Sequence, residues 1–493
     1  MSKFNSKVEN STKAKPNAVN AAGCPSYSRP DIKLDIANVV LTSMLRGDSF
    51  YESEKDRLNR IESMVSDVEL SEFVAKAMVY ARTVGNLRSI SHYLAVLLAE
   101  NAKGTSYLRP ALSKAFIRPD DLTESLALWN ARNAKQMVPN ALRRAFKDSL
   151  ETFDNYQLKK YAAERSAVKL RDVVKIARPK PSEKRDFKAL IEGTLPNIMT
   201  AQTVNAGSTG EDRASNYKAM LQERKLGYMA ALKNVRNILN AGADAETIKL
   251  LCDLFRNEKA CLNSKCLPFR FVDAYNEVKG LNFDRILIKQ IVAAIEDGFK
   301  ISAMNTGLVK DGEKIAILLD ESGSMGGNVG TPFYIGKILM AAMLTGLDTN
   351  NTVGYCWSDY SREVAVNGSP FHFIENTRTT GGGTNLAGSF KGLVDSKTNV
   401  DVIVIFTDMQ QNYFTGGYAG NINEMVKEYR KINPNVKILF WNLEGYGGGT
   451  PLKLSNSILE VTGYSDKILG VAAKMLEFSD INYLVKEIEA IKL

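Results

Sequence analysis

The chain has 493 residues, 44% hydrophobic and 24% charged, with 64 Lys and Arg against 55 Asp and Glu for a net charge of +9. That length exceeds one ordinary hydrophobic core and predicts two or three domains of a globular protein. No apolar run approaches the roughly 18–20 residues that cross a bilayer, and a chain with only two histidines argues against most histidine-based catalysis.

Residues 1–28 are polar and rich in Lys, Asn and Ser, which predicts a flexible arm. The opening "MSKFNSKVEN" lacks the apolar stretch of a secretory leader. From residue 29 to 310 the pattern is helical. In "SEFVAKAMVYAR", Phe73, Val74, Ala77, Met78 and Ala81 follow the 3.6-residue period, as do Ile288, Ile291, Val292 and Ile295 further on. Breaks such as "RPD" (118–120) and "RPKPSE" (178–183) separate helices of roughly 12–18 residues. Many helices with short connections predict stacked helix pairs, an α-solenoid. The charge is uneven: residues 1–310 hold 49 Lys and Arg against 35 Asp and Glu, a net +14, and the remainder 15 against 20, a net −5. A polyanionic partner for the first part is the natural inference.

Beyond residue 311 the pattern changes. Near-continuous apolar runs at 314–320, 352–359, 400–408 and 436–443 read as strands, with helical stretches at 333–347, 385–396 and 421–432 between them and a last amphipathic helix at 480–491. Alternation of this kind predicts a parallel, doubly wound α/β sheet over 311–493. The five cysteines, Cys24, Cys252, Cys261, Cys266 and Cys356, are odd in number and scattered, as in reduced thiols of a cytoplasmic protein. Cys261 and Cys266 have no second pair or histidine nearby, so no zinc site is expected.

In such sheets ligands bind beyond the C-terminal strand ends. Two strands here end in an acid, Asp320 and Asp408; Ser322 and Ser324 follow the first, and Thr384 follows three glycines in "TTGGGTNLAG". Five oxygen donors with no soft ligand predict a hard cation, Mg²⁺ before Mn²⁺ or Ca²⁺. Room remains for water or a partner's acidic group. The D-x-S-x-S run, Gly-Gly-Thr and second strand-terminal Asp, in that order, resemble the metal-ion-dependent adhesion site of the von Willebrand factor A domain.

The helical part contains "VYARTVGNLRSISHYLAVLLAE" (79–100), "VPNALRRAFKDSL" (138–150), "YQLKKYAAERSAVKLRDVVKIARPKP" (156–181), "KLGYMAALKNVRNIL" (225–239) and "SKCLPFRFVDAY" (264–275). Together they resemble the TROVE module of Ro ribonucleoproteins, in which an A-domain also follows. The resemblance implies HEAT-like helical repeats over 29–310, closed into a monomeric ring by the A-domain. It implies small noncoding Y RNAs on a basic outer surface and single-stranded RNA ends in a central hole. An exoribonuclease such as polynucleotide phosphorylase is the implied protein partner, and RNA quality control or processing the implied role. Positions contacting Y RNA match Lys160, Arg165 and Arg178, the last a histidine in a relative. Lys169, Arg171 and Lys175 extend that rim, which would hold phosphates without reading sequence. Arg82, Arg88, His92 and Arg143 are candidates for the hole, although His92 in "SHYLAVLL" sits on an apolar helix and reads first as a packed residue.

No Walker loop or nucleophile elbow occurs, so no enzyme is expected. The competing reading is a metal-dependent adhesion or scaffold protein that recruits an acidic partner through the A-domain.

Overall fold

The computed structural model describes residues 15–43, 48–134, 136–162, 166–198, 200–207, 210–266, 268–304, 312–346, 351–412, 421–463 and 466–493. It divides into two compact units. One comprises the described parts of residues 1–42, 47–53 and 302–485, and the other those of 43–46, 54–301 and 486–493.

The second unit is helical. Helix Ser71–Thr83 packs on Ser89–Asn101 and on Leu108–Ala115; Leu108–Ala115 packs on Asn140–Leu150, and Asn140–Leu150 on Leu170–Ala177. A second row runs from Ser89–Asn101 to Pro119–Arg132, which touches Asn155–Tyr161 and Leu170–Ala177. Each helix therefore meets the one two places ahead, the stacking of an α-solenoid. The periodic residues Phe73, Val74, Ala77, Met78 and Ala81 are all buried. Ile291 and Ile295 are also core, but Ile288 and Val292 line an open surface depression beside Tyr275 and Lys289.

The first unit is α/β. Its strands are β1 (Ala18–Val19), β2 (Pro25–Ser26), β3 (Ile315–Asp320), β4 (Thr352–Trp357), β5 (Ser361–Val364), β6 (Val402–Thr407), β7 (Lys437–Asn442) and β8 (Ile458–Thr462). Six of them form one sheet in the order β5-β4-β3-β6-β7-β8, parallel throughout except for β5. β3 and β6 are buried along their whole length, as strands covered on both faces must be. Helix Pro332–Gly346 lies close on β3 because Gly336 has no side chain; a Cβ there would come within 2.5 Å of Leu319. The chain passes from β3 to β4 on one side, and β6 lies on the other, so the switch point in strand order falls between β3 and β6.

Three expectations need correction. The arm predicted over 1–28 is not one where it is described: β1 and β2 pair as a hairpin, and Tyr27, 3% exposed, bridges to Thr450. Arg29 forks onto Glu460 of β8 with two 2.7 Å hydrogen bonds and takes Asp35 at 2.7 Å. The helix Ile32–Thr42 packs on β8, so residues 29–42 belong to the α/β unit and not to the helical one. Residues 486–493 conversely belong with the helical unit. The sheet is also mixed, since β5 is an antiparallel edge strand; β5 and β8 were not among the predicted strands. Composition hides the hairpin because its partners lie about 400 residues away, and β5 is four residues long with no apolar run.

Candidate functional site

The register of β3 against β6 builds the candidate cation site. Leu319 faces Phe406, so the next residues, Asp320 and Thr407, meet, and the Thr407 hydroxyl donates to Asp320 Oδ2 at 2.7 Å. Asp320 Oδ1 accepts the Ser322 amide at 2.9 Å, which turns the chain into the Gly323–Met325 turn. The Ser322 and Ser324 hydroxyls lie 3.3 Å apart, close to the roughly 3 Å between neighbouring oxygens around an ion bonded at about 2.1 Å. Asp408 Oδ1 accepts the Gln410 amide at 3.0 Å. Asp320, Ser322, Ser324, Thr384 and Asp408 are all buried.

The loop before Thr384 is held from several sides. Its amide donates to Asn412 Oδ1 at 2.7 Å. The Gly382 carbonyl accepts the Gly323 amide at 3.1 Å, and the Gly383 amide donates to Asp359 Oδ1 at 3.1 Å. Gly382 has φ +85° and a Cβ there would overlap the Asp359 carboxylate, so both the turn and the close approach require glycine. Glu321, 1% exposed, is fixed by Arg362 at 2.6 Å.

The donor set fits a hard dication. Asp408 Oδ2 is buried and has no hydrogen-bond partner, an orphan that a cation would satisfy. Burial pushes the Asp320 carboxyl up, and burial followed by the charge of Asp320 does the same to Asp408. This is the behaviour of two close carboxylates without a counter-charge. Among the described residues no group of three or more His, Cys, Asp or Glu could hold a metal, so hydroxyls must complete any such site. A bound ion would be held by the five oxygens and would supply positive charge to an entering acidic group. Thr407 and Asn412 were missed; the Thr407–Asp408 pair at a strand end was the readable signal for the first.

The cations of the helical unit fall into two kinds. Arg82 and His92, 3% and 7% exposed, both close on the fully buried Asp121, at 2.9 Å each. They are committed to that carboxylate in the core, the packed reading that His92 invited and Arg82 did not. Arg143 leans on Asn140 at 3.1 Å. Arg165 lies outside the described residues. Lys160, Lys175 and Arg178 are exposed, and none is ion-paired among the described residues, while Lys169 and Arg171 are half-buried. Helix Asn155–Tyr161 starts at a reciprocal cap, Asp154 with Gln157, and helix Leu170–Ala177 ends on Arg178 in a left-handed turn, φ 51°.

Lys160 and Arg88, placed by the sequence in separate groups, belong to one surface. Arg88 and Arg118 share Asp120 Oδ2 at 2.7 and 2.8 Å. Arg118 lies over the Tyr161 ring at 4.7 Å, and Lys160 lies near both Tyr161 and Tyr156 at 5.7 and 5.6 Å. Burial, then the charges of Arg270, Arg118 and Arg88, hold the Lys233 ammonium below the usual lysine range. Arg118, Lys233 and Arg270 were missed, although Lys233 and Arg270 stand inside two of the runs quoted above. Cations with open aromatic faces are what phosphates and bases need.

Residues 201–292 match the model of the TROVE domain, which includes Lys233 and Arg270. Among curated proteins the chain is 24% identical to telomerase protein component 1 of Rattus norvegicus, over 43% of this chain and 11% of the relative. The counterpart from Mus musculus is 22% identical over the same shares. The chain thus spans about a tenth of those relatives' length. Its fold resembles the crystal structure of the Ro (Rsr) protein of Deinococcus radiodurans, with a TM-score of 0.55 and 17% identity, covering 89% of this chain and 99% of that one.

Proposed function

We propose, from the premise that this is a TROVE-domain chain with the Ro fold, that it is an RNA-binding protein whose helical unit holds RNA in a ribonucleoprotein. The observation that carries the reading is Arg118 and Lys160 set against the Tyr161 and Tyr156 rings, with Arg88 sharing Asp120 with Arg118 and Lys233 in the field of Arg88, Arg118 and Arg270. The cations outnumber the three acids paired with them, Asp120, Asp121 and Asp273, and the cluster presents an exposed ring, Tyr156, on which an unpaired base can stack. Lys160, Lys175 and Arg178 supply phosphate contacts that are indifferent to sequence. The finer assignment follows the Ro resemblance: small structured Y-like RNAs, single-stranded ends, a role in RNA quality control or processing, and an exoribonuclease as partner.

The test is fluorescence anisotropy with a labelled single strand and a labelled hairpin. Lys160→Ala with Arg178→Ala is expected to weaken binding at least roughly tenfold, the loss of two charge-assisted contacts. Its stability should stay within about 0.5 kcal/mol, since both side chains are exposed. Unchanged affinity would remove these residues from the interface.

A second reading rests on the α/β unit. The five oxygens and the orphaned Asp408 Oδ2 support a magnesium-dependent site for an acidic protein partner. The two readings are compatible in one chain, and calorimetry with Mg²⁺ on Asp320→Ala tests the second.

A further inference from the structure

Helix Asn140–Leu150 in the helical unit begins at Pro139. A proline side chain offers no acceptor, and no side chain caps this helix. Its first turn holds no acid, and Arg143 and Arg144 follow close behind, although cations at this end oppose the helix dipole. The Asn140 Oδ1 is turned to Arg143, from which it accepts at 3.1 Å. Pro139, Asn140 and Ala141 line a cavity of about 290 Å³, near the lower end of the size range of small-ligand sites. The fully buried Ala99 and Leu108 give it an apolar wall, and Lys103 also lines it. Trp129 completes the wall; it is 1% exposed, and its indole Nε1 is buried with no hydrogen-bond partner. A buried N–H without an acceptor is costly and calls for one. Glu100, beside Ala99 in the chain, is already engaged by Arg132 at 3.2 Å.

Three kinds of donor therefore border one cavity: the first amides of an uncapped helix, a lysine ammonium and an orphaned indole N–H. We propose that this cavity binds a phosphate monoester carried on an apolar or aromatic body. The phosphate takes the helix N-terminus and Lys103, where several acceptor oxygens and a double charge suit the amides, the dipole and the ammonium. The body lies on the wall of Ala99, Leu108 and Trp129 and presents an acceptor to the indole N–H. A free mononucleotide and the phosphorylated end of an RNA strand share this chemistry. The cavity stands apart from the RNA-binding reading; only its occupation by an RNA end rests on that reading.

The experiment titrates the full chain by calorimetry with adenosine monophosphate, adenosine and inorganic phosphate. Adenosine should bind at least roughly tenfold more weakly than its monophosphate. Asn140→Asp sets a carboxylate in the first turn, where the phosphate would lie. It should weaken the monophosphate at least about tenfold and leave the melting temperature equal or higher. Lys103→Ala, at an exposed position, should weaken it about fivefold. Trp129→Phe keeps the wall and removes the N–H, and should weaken the monophosphate but not inorganic phosphate. Fluorescence anisotropy then compares one single-stranded RNA with and without a 5′ phosphate. A preference of at least about tenfold for the phosphorylated strand, lost in Asn140→Asp, makes an RNA end the occupant. Equal strand affinities, with the monophosphate bound, make a free nucleotide the occupant. No monophosphate binding at millimolar concentrations together with equal strand affinities, or unchanged binding in both Asn140→Asp and Lys103→Ala, would overturn the site and leave the RNA reading untouched. Monophosphate binding without binding of either strand would overturn the RNA reading and leave the site standing.

Discussion

Asp121 is the most heavily engaged carboxylate of the helical unit. Burial works against its charge, but the hydrogen bond from His92 and the charge of Arg82 hold its pKa down to about 2. The ordinary value is 3.8, so its contribution to stability is in full force above about pH 4 and is lost as the pH falls through about 2. That contribution is roughly 2 kcal/mol. Asp121→Asn leaves Arg82 buried without a counter-charge and is expected to cost about 3–5 kcal/mol in urea unfolding. The variant should also flatten the acid limb of the stability profile; an unchanged limb would show that the network carries no linkage. Arg82 and His92 show where sequence reading stops at this scale. A polar side chain is visible in one dimension, but its partner, 39 residues on from Arg82 and 29 from His92, is not. The placing of Asp320, Ser322, Ser324 and Asp408 at neighbouring strand ends was legible because strand-terminal position and order carry it, with no need of a distant partner.

At the scale of elements, the stretch 15–42 is part of the α/β fold. The Asn20 side chain donates to the Gln411 carbonyl at 2.8 Å, and the Ala22 amide to Gln410 Oε1 at 3.2 Å, so the hairpin steadies the loop that carries Asp408. Deleting residues 1–28 is therefore expected to lower the melting temperature and to weaken Mn²⁺ binding, where loss of an arm would change neither; differential scanning calorimetry decides it. Glu460→Ala takes the forked pair from the buried Arg29 and leaves it Asp35 alone, and should cost about 3 kcal/mol. The four long strands were readable from apolar runs, because burial on both faces demands them. The hairpin and β5 were not, since their pairing depends on partners that local periodicity does not register. Gly382→Ala forces a side chain into a left-handed turn against Asp359. It is expected to weaken cation binding with little effect on the helical unit, as read by calorimetry with Mn²⁺.

Across the whole molecule, the charge divides as the fold does. Over the two compact units the net charge is +12 on the helical one, 44 Lys and Arg against 32 Asp and Glu, and −3 on the α/β one, 20 against 23, which matches a polyanion partner for one unit and a cation for the other. Part of the positive surplus is spent inside the solenoid on Asp121, so the interface is smaller than a count of Lys and Arg implies. The central claim is that the remaining exposed cations and their aromatic neighbours hold RNA. The most direct test is the salt dependence of single-stranded RNA affinity in wild type and in Lys233→Ala. Release of counterions from three or more contacts predicts a slope of log K against log salt of about −2 or steeper, with the variant shallower by about 0.7. A slope near zero, or no binding at low ionic strength, would contradict it.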